Sequence, residues 1–330
     1  MVALVNLYIF SFKLKKYSLI RSLFIALSLL GSYHALVFTR LVTPTDGIHQ
    51  WEINFIKIQR YAYQKSLSLK IVIAGSSLTA NIQASDISPQ VINLGMSGGC
   101  SQTGAEAILM KPSKPAILLV EINETISRKL DDRMIDYIYN PILYSTRFYI
   151  PMLRQEYQPV SVFLPTLSSI KHRLMNRESV TNNLSNIRQI VNIDPILTDK
   201  LIAQQIEINK VPLTEKEKIL LRKEIEFIKY QISQLSKYGV RIILFNIPVE
   251  QRVQNTVRAK QIEALTSELF PIGKFEWLPE PPPRHWTTYD GTHLVSADAK
   301  DYAAFLSNQL FSGNGAVSEP ASSHLTVKPY

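Results

Sequence analysis

Three short apolar runs in the first half of the chain place the strongest constraint on its fold. Lys70–Ala74, Val91–Leu94 and Ala116–Ile122 are rich in Ile, Val and Leu and show no alternation of apolar and polar side chains. Such runs are typical of parallel strands that are covered on both faces. A helix that begins near Ser101 and ends before Pro112 fits the crossover that parallel strands require. The sequence therefore predicts an α/β fold.

The same pattern resumes in the second half of the chain. Thr214 and Glu217 have the spacing of a capping box, and Gly239 fits the position just after a helix end. The segments that follow predict two further strands and two helices, in the order Arg241–Ile247, Thr256–Leu269, Lys274–Leu278 and Ala297–Leu310. We expect a three-layer α/β/α arrangement with about five parallel strands.

The N-terminal region contains a long apolar run. Residues 22–39 are uncharged and lie between Arg21 and Arg40, close to the roughly 20 residues that span a bilayer. The run has no polar face, which excludes a buried amphipathic helix. A cleaved signal peptide is the alternative, but removal up to Ala35 would leave Tyr33 where a small residue is required. We expect a retained transmembrane helix.

Charge is concentrated beside this run. The formal net charge is +9, and residues 1–44 contain five basic residues and no acidic one. This is a membrane-flank feature, so we expect no nucleic-acid partner. The positive-inside rule predicts a single-pass protein of the inner or plasma membrane. Its N-terminus would lie in the cytoplasm and its main domain in the periplasm or outside the cell.

The remaining composition limits the chemistry. Cys100 is the only cysteine, which excludes an internal disulfide and a Cys-based zinc site. The histidines show no metal-ligand spacing, and the glycines do not form a dinucleotide-binding fingerprint. We therefore expect neither a cofactor nor a metal.

Residues 124–213 lack a clear period and contain a cluster of tyrosines. We expect an inserted, mostly helical cap here. The tyrosines could stack on sugar rings or lie near the bilayer surface, and ordinary packing of a small helical subdomain is the favoured alternative. The predicted organisation is a basic flank and anchor over 1–44, an α/β domain with its cap over 45–311, and a disordered tail over 312–330.

Polar and small residues stand at the carboxyl end of each of the first three predicted strands. They are Gly75-Ser76-Ser77-Leu78, Ser97-Gly98-Gly99 and Glu121-Ile122-Asn123, and an Asp290-x-x-His293 segment precedes the last helix. Carboxyl ends of parallel strands share one edge of a sheet. An imidazole can accept the proton of a serine, and a carboxylate can orient the imidazole. Ser77, His293 and Asp290 are therefore candidates for nucleophile, base and orienting acid.

The order of these segments resembles the SGNH, or GDSL, hydrolase family over residues 70–123 and 285–310. The resemblance implies an SGNH/flavodoxin-like fold, with Ser77 in the nucleophile block and Asp290 and His293 in the Asp-x-x-His block. It further implies an oxyanion hole formed by the N–H groups of Ser77 and Gly98 and by the side-chain amide of Asn123.

The chain also departs from the family pattern. Ser76 replaces the usual aspartate of the first block, and Glu121 stands where glycine is usual. Glu121 either hydrogen-bonds within the site or reshapes the oxyanion hole. His285 is a rival base beside Trp286, for which we favour a positioning or structural role. Glu121, His285 and Trp286 are kept as candidates for substrate contact.

The resemblance and the anchor together suggest a function. SGNH proteins include esterases, lipases, thioesterases and carbohydrate O-acyltransferases, and membrane-anchored ones modify envelope polymers. We expect a serine O-acyltransferase or esterase acting on acyl, foremost acetyl, groups of a cell-surface polysaccharide. Its partners would be the membrane, an acyl donor, a glycan acceptor and a membrane-bound acyltransferase. A tethered lipase or thioesterase, and a non-catalytic scaffold that binds polysaccharide in an export complex, are the alternatives.

Overall fold

A computed structural model describes residues 2–65, 70–163 and 195–311, with side chains described from residue 17 onward. These residues form two compact units. The first contains the described residues up to 59 together with 137–163, and the second contains those of 60–136 and 195–311. The predicted cap is thus divided between the two units. Residues 164–194 of the cap and the predicted tail 312–330 lie outside the described residues.

Helices and strands alternate through much of the described chain. In chain order they are α1 (Val2–Phe38), α2 (Gln50–Tyr63), β1 (Ile71–Gly75), α3 (Ser77–Ala80), α4 (Ala84–Ile87), β2 (Val91–Gly95), α5 (Ser101–Met110), β3 (Ile117–Glu121), α6 (Asp132–Tyr139), α7 (Pro141–Tyr149), α8 (Pro195–Asn209), α9 (Glu215–Lys237), β4 (Arg241–Phe245), α10 (Gln251–Gln254), α11 (Val257–Leu269) and α12 (Ser296–Phe311). Short 3-10 helices cover Glu124–Ser127, Pro151–Leu153 and Gln155–Tyr157.

The apolar part of α1 is long enough to cross a bilayer. It covers Tyr17–Phe38, and only 6% of its apolar window is buried. A helix that is apolar all round belongs either in a protein core or in a membrane, and the low burial does not fit a core. Length and composition thus agree with the predicted anchor, while its orientation stays a prediction.

Aromatic side chains of the first unit pack against one another. The ring of Tyr137 lies 4.3 Å from the guanidinium carbon of Arg147 and 5.5 Å from the ring of Phe55. Tyr139 and Tyr144 stack with their ring centres 5.7 Å apart. These contacts favour the packing interpretation for the three tyrosines.

The second unit is built on a parallel four-stranded sheet with the strand order β2-β1-β3-β4. Ile73 of β1 lies opposite Asn93 of β2 and Leu119 of β3, and Leu119 lies opposite Ile243 of β4. The first four predicted strands are therefore confirmed, with ends that differ by at most two residues. The capping box of Thr214 and Glu217 at the start of α9 is confirmed as well.

The predicted fifth strand, Lys274–Leu278, does not form. The segment makes one parallel bridge, between Leu244 and Trp277. Its first two N–H groups donate instead to the carbonyl of Pro271, which closes a turn. Pro279 follows directly and has no N–H to continue a ladder. The turn at one end of the segment and the proline at the other limit its pairing with β4 to a single bridge.

Both faces of β1 are buried. Ile71 and Ile73 belong to an apolar cluster with Tyr302 and Leu306 of α12. Next to them, Ala74 meets α5 so closely that a Cβ on Gly104 would lie 3.0 Å from the Cβ of Ala74. Full burial of a side chain such as Ile73 contributes roughly 1.5–3 kcal/mol. This packing holds the carboxyl end of β1, and the residues that follow it, in place.

Candidate active site

Ser77, His293 and Asp290 form a continuous chain of hydrogen bonds. Nε2 of His293 lies 2.9 Å from Oγ of Ser77, and Nδ1 of His293 lies 2.8 Å from Oδ2 of Asp290. Both distances are in the hydrogen-bonding range. The structure thus brings together the three residues predicted to act as nucleophile, base and orienting acid, and the arrangement is the one that activates a serine hydroxyl.

Ser77 owes its position to the end of β1. The strand ends at Gly75, and Ser76 caps the short helix α3 by accepting a hydrogen bond from the N–H of Leu78 at 3.2 Å. Ser77 is the first residue of α3, so its own N–H has no acceptor within the helix. Ser76 is buried, whereas Ser77 is partly exposed. Ser77, the candidate nucleophile, therefore lies at the carboxyl end of β1, and its backbone N–H is not used within the helix.

A tight loop holds Asp290 against His293. Oδ1 of Asp290 accepts hydrogen bonds from the N–H groups of Thr292 and His293, both at 2.9 Å. Gly291 has a φ of +94°, a left-handed conformation that favours glycine. The loop is closed by a hydrogen bond of 2.8 Å from the N–H of Tyr289 to the carbonyl of His293.

The loop also sets the charge of Asp290. Burial alone would raise the pKa of this carboxyl, but the hydrogen bonds from the His293 ring and from the N–H groups of His293 and Thr292 hold the pKa well below its usual range. An ionised Asp290 accepts a hydrogen bond from the Nδ1–H group of His293. The other ring nitrogen, Nε2, is then free to accept the proton of Ser77.

The predicted oxyanion-hole residues follow the two strands that flank β1. Gly98 follows β2 and is exposed, with a φ of +69° that suits glycine. Asn123 follows β3, where its Oδ1 accepts hydrogen bonds from the N–H and the hydroxyl of Thr125 at 2.8 and 2.6 Å. Because β1 lies between β2 and β3 in the sheet, the segment that contains Ser77 comes between the segments that contain Gly98 and Asn123.

Glu121 does not have the position that substrate contact would require. Its side chain is fully buried, and it accepts hydrogen bonds from Ser76, Thr79 and Asn123. Of the two interpretations of this residue, hydrogen bonding within the site is the one that the structure supports. Burial raises the pKa of Glu121, and the hydrogen bonds from Thr79 and Ser76 offset only part of that effect.

The other two candidates for substrate contact take no part in the chain of hydrogen bonds from Ser77 to Asp290. The ring of Trp286 packs edge-on against Tyr302, 6.0 Å between centres, and is covered by the guanidinium of Arg284 at 3.9 Å. These contacts give Trp286 a packing role. His285 is exposed, and it is His293 that approaches Ser77, so the rival base is not supported.

A cavity of about 450 Å³ lies close to loops of the site, although Ser77, His293 and Asp290 are not among its lining residues. Arg128 lines it and donates a hydrogen bond of 3.3 Å to the carbonyl of Gly99 in the loop of Gly98. Gln205 lines it as well, and its Cβ lies 3.8 Å from the point that a Cβ on Gly291 would occupy. The other lining residues are Glu124, Thr125, Ser127, Ile208, Asn209, Leu213, Glu217, Leu220, Leu221, Arg258 and Ile262. Residues that line the cavity therefore belong to the loop after Asn123 or neighbour the loops of Gly98 and Gly291.

The sequence did not point to this cavity. Gln205 and Asn209 come from α8, in a region without a hydrophobic period, and Arg258 comes from α11. These residues are brought together by the fold, and no pattern in the sequence connects them. Arg128, five positions after Asn123, is the residue that proximity in the chain could have indicated.

Comparison with known proteins gives no match to this chain among family models, curated proteins or solved structures.

Proposed function

We propose that this chain is a membrane-anchored serine O-acyltransferase or esterase of the SGNH type. Its substrates would be acyl, foremost acetyl, groups of a cell-surface polysaccharide. The observation that carries the proposal is the chain of hydrogen bonds from Ser77 through His293 to Asp290. A serine, an imidazole and a low-pKa carboxylate in this order are the machinery of acyl transfer.

The reaction follows from the positions of these groups. Oγ of Ser77 attacks the acyl carbon while Nε2 of His293 takes the serine proton, and the negative charge of Asp290 stabilises the imidazolium. The oxyanion is met by the N–H groups of Ser77 and Gly98 and by the Asn123 amide. His293 then returns the proton to the leaving oxygen, which leaves an acyl group on Ser77.

The second half of the reaction decides between transfer and hydrolysis. A sugar hydroxyl or a water attacks the acyl carbon, His293 takes its proton, and Ser77 leaves as the free hydroxyl. We assign the sugar acceptor to the cavity beside Gly291. Its volume of about 450 Å³ is within the range of small-molecule sites.

The lining of the cavity agrees with a neutral polar acceptor. Gln205 and Asn209 offer amide groups, and Arg258 is already paired with Glu217 at 2.7 Å. The lining holds two arginines, Arg128 and Arg258, and two glutamates, Glu124 and Glu217, so its charges balance and it has little preference for an anion. Sugar hydroxyl groups suit amide and carboxylate partners of this kind.

The finer features of the fold form part of the proposal. The order β2-β1-β3-β4 agrees with the doubly wound order of flavodoxin-like sheets. The bridge from Leu244 to Trp277 lies on β4, where a fifth strand of a three-layer α/β/α fold would add. We infer that this bridge is a shortened form of that strand.

The proposed setting is the outer face of a membrane. The apolar stretch of α1 would cross the inner or plasma membrane, with the basic N-terminal residues in the cytoplasm. The α/β unit would then lie in the periplasm or outside the cell. A membrane-bound acyltransferase would supply the acyl donor there.

A serine-directed probe tests the nucleophile. A fluorophosphonate should label the full chain in membranes and should fail to label Ser77→Ala, with mass spectrometry placing the adduct on Ser77. Ser233→Ala is the matched control, because the Ser233 hydroxyl lies on the exposed side of α9. Labelling that survives Ser77→Ala rejects the proposal.

Acyl-chain preference separates the proposal from its alternatives. Short p-nitrophenyl esters should be hydrolysed faster than long ones. A preference for long chains would support a tethered lipase or thioesterase. Polysaccharide binding by a chain that the probe does not label would support a non-catalytic scaffold.

A further inference from the structure

Glu121 is a buried carboxyl group that the reaction steps leave without a role. It ends β3, and its side chain is fully shielded from solvent. Oε2 accepts a hydrogen bond of 2.7 Å from the N–H of Ser76 and another from the hydroxyl of Thr79. Oε1 accepts one of 2.8 Å from the Ser76 hydroxyl and one from Nδ2 of Asn123. One carboxyl group thus joins the nucleophile turn to the oxyanion-hole candidate.

The direction of each hydrogen bond follows from the other contacts of the partners. The Ser76 oxygen accepts from the N–H of Leu78, which leaves the Ser76 proton for Glu121. Oδ1 of Asn123 accepts from Thr125, so the NH₂ end of this amide is the end that faces Glu121. All four donor groups are neutral, and together they satisfy the hydrogen-bonding capacity of the buried carboxyl group.

The backbone around Glu121 is shaped to admit it. A Cβ on Gly75 would collide with the side chains of Thr79 and Glu121. The two departures from the family pattern also meet here, because Ser76 and Glu121 are hydrogen-bonded to each other. An aspartate at position 76 would place a second carboxylate against Glu121. The Glu121 carboxyl group of β3 is therefore compatible with a neutral serine at position 76.

We propose that Glu121 is a positioning residue for acyl transfer. It fixes the plane of the Asn123 amide, so that one Nδ2 proton binds Oε1 and the other faces the developing oxyanion. The hydrogen bonds from the N–H and the hydroxyl of Ser76 anchor the same carboxyl group, so that it can hold the amide in this plane. This inference rests on the proposed function, since it assigns the amide to the oxyanion.

Glu121→Gln tests the proposal with little change of shape. The new NH₂ group must face either the N–H of Ser76 or Nδ2 of Asn123, and neither of these can accept a hydrogen bond. We expect kcat for p-nitrophenyl acetate and the rate of fluorophosphonate labelling of Ser77 to fall by about 10²-fold, the effect of one lost oxyanion donor. KM should stay within about twofold, because ground-state binding is not altered.

A double-mutant cycle distinguishes positioning from a general structural role. In an Asn123→Ala background, Glu121→Gln should lower the rates by less than about twofold. Thr79→Val is the matched control, because it removes one donor to Oε2 and leaves the Asn123 contact. A full loss in the Asn123→Ala background, or an equal loss in Thr79→Val, would overturn the positioning role.

A second measurement leaves Glu121 unaltered, in case Glu121→Gln does not fold. In a structure of the full chain phosphonylated at Ser77, Nδ2 of Asn123 should lie within hydrogen-bonding distance of both Oε1 of Glu121 and the phosphonyl oxygen. An amide turned away from either oxygen overturns the inference. A wild-type chain that the probe does not label overturns the proposed function as well, whereas normal labelling of Glu121→Gln overturns only the role of Glu121.

Discussion

Nε2 of His293 lies 2.9 Å from Oγ of Ser77, although 216 positions separate the two residues in the chain. The pair joins the short helix after β1 to a loop just before α12. A contact of this length between a hydroxyl and an imidazole has a direct chemical consequence, since the imidazole can take the proton as the oxygen attacks.

His293→Ala should therefore abolish turnover of p-nitrophenyl acetate. Loss of a triad histidine costs about 10⁴-fold or more in kcat. Initial rates on the full chain in detergent check this. His285→Ala is the matched control, since His285 is exposed and separate from the hydrogen-bonded chain, and its rate should stay within about twofold of the wild type. Turnover retained by His293→Ala would remove His293 from the mechanism.

Asp290→Asn should keep the loop and lose most of the activity. The Asn side chain can still accept hydrogen bonds from the backbone N–H groups of Thr292 and His293. Because its amide is neutral, it no longer stabilises an imidazolium. We expect kcat to fall by about 10⁴-fold, as in other triads. A kcat within about tenfold of the wild type would show that Asp290 does not orient the base.

The same variant should change how stability depends on pH. The pKa of Asp290 is lower in the folded chain than in the unfolded chain, so its ionised form stabilises the fold above the unfolded pKa of about 3.9. This stabilisation is lost as the pH falls through the folded pKa. The Tm advantage of the wild type over Asp290→Asn should therefore be largest near neutral pH and shrink in acid. A Tm difference that grows on acidification would contradict the assignment.

Gly291→Ala should destabilise the loop between the two catalytic candidates. The residue has a φ of +94°, and a Cβ would lie 2.8 Å from Cγ2 of Val253. Strain of this kind costs about 1–3 kcal/mol. Thermal unfolding measures the effect, and Gly273→Ala is the control because a Cβ there meets no atom within 4 Å. Equal Tm values for the two variants would contradict the strain.

Gln205→Trp should separate transfer from hydrolysis. A tryptophan at this position fills the cavity beside Gly291, so acyl transfer to a polysaccharide should fall at least about tenfold. Hydrolysis of p-nitrophenyl acetate needs no acceptor sugar and should stay within about threefold. Gln204→Trp is the matched control, since Gln204 is exposed on α8. A parallel loss of both activities would place the acceptor elsewhere.

Local sequence patterns were sufficient for much of the fold. The apolar runs of β1, β2 and β3 have no alternation, and each proved to be a parallel strand with ends close to those expected. The capping box of Thr214 and Glu217 and the left-handed Gly239 mark the ends of α9 as expected. These features depend on neighbours in the chain, which is why a sequence reveals them.

The predicted fifth strand failed for a local reason, because the turn at Pro271 takes up the N–H groups that the strand needed. Features that depend on distant residues were not accessible from local patterns. Glu121 is enclosed by Ser76, Thr79 and Asn123, and its burial follows from the pairing of β3 with β1. The order of the site residues along the chain predicted their meeting, but the contacts of Glu121 required the folded structure.

The placement of Ser77 between Gly98 and Asn123 links chemistry to strand pairing. Ala74 of β1 is registered with Leu94 of β2 and Val120 of β3. A slip of one residue between neighbouring strands would turn alternate side chains to the opposite surface of the sheet. The rate at which a serine-directed probe labels Ser77 during refolding would therefore report when the central strands reach their native alignment.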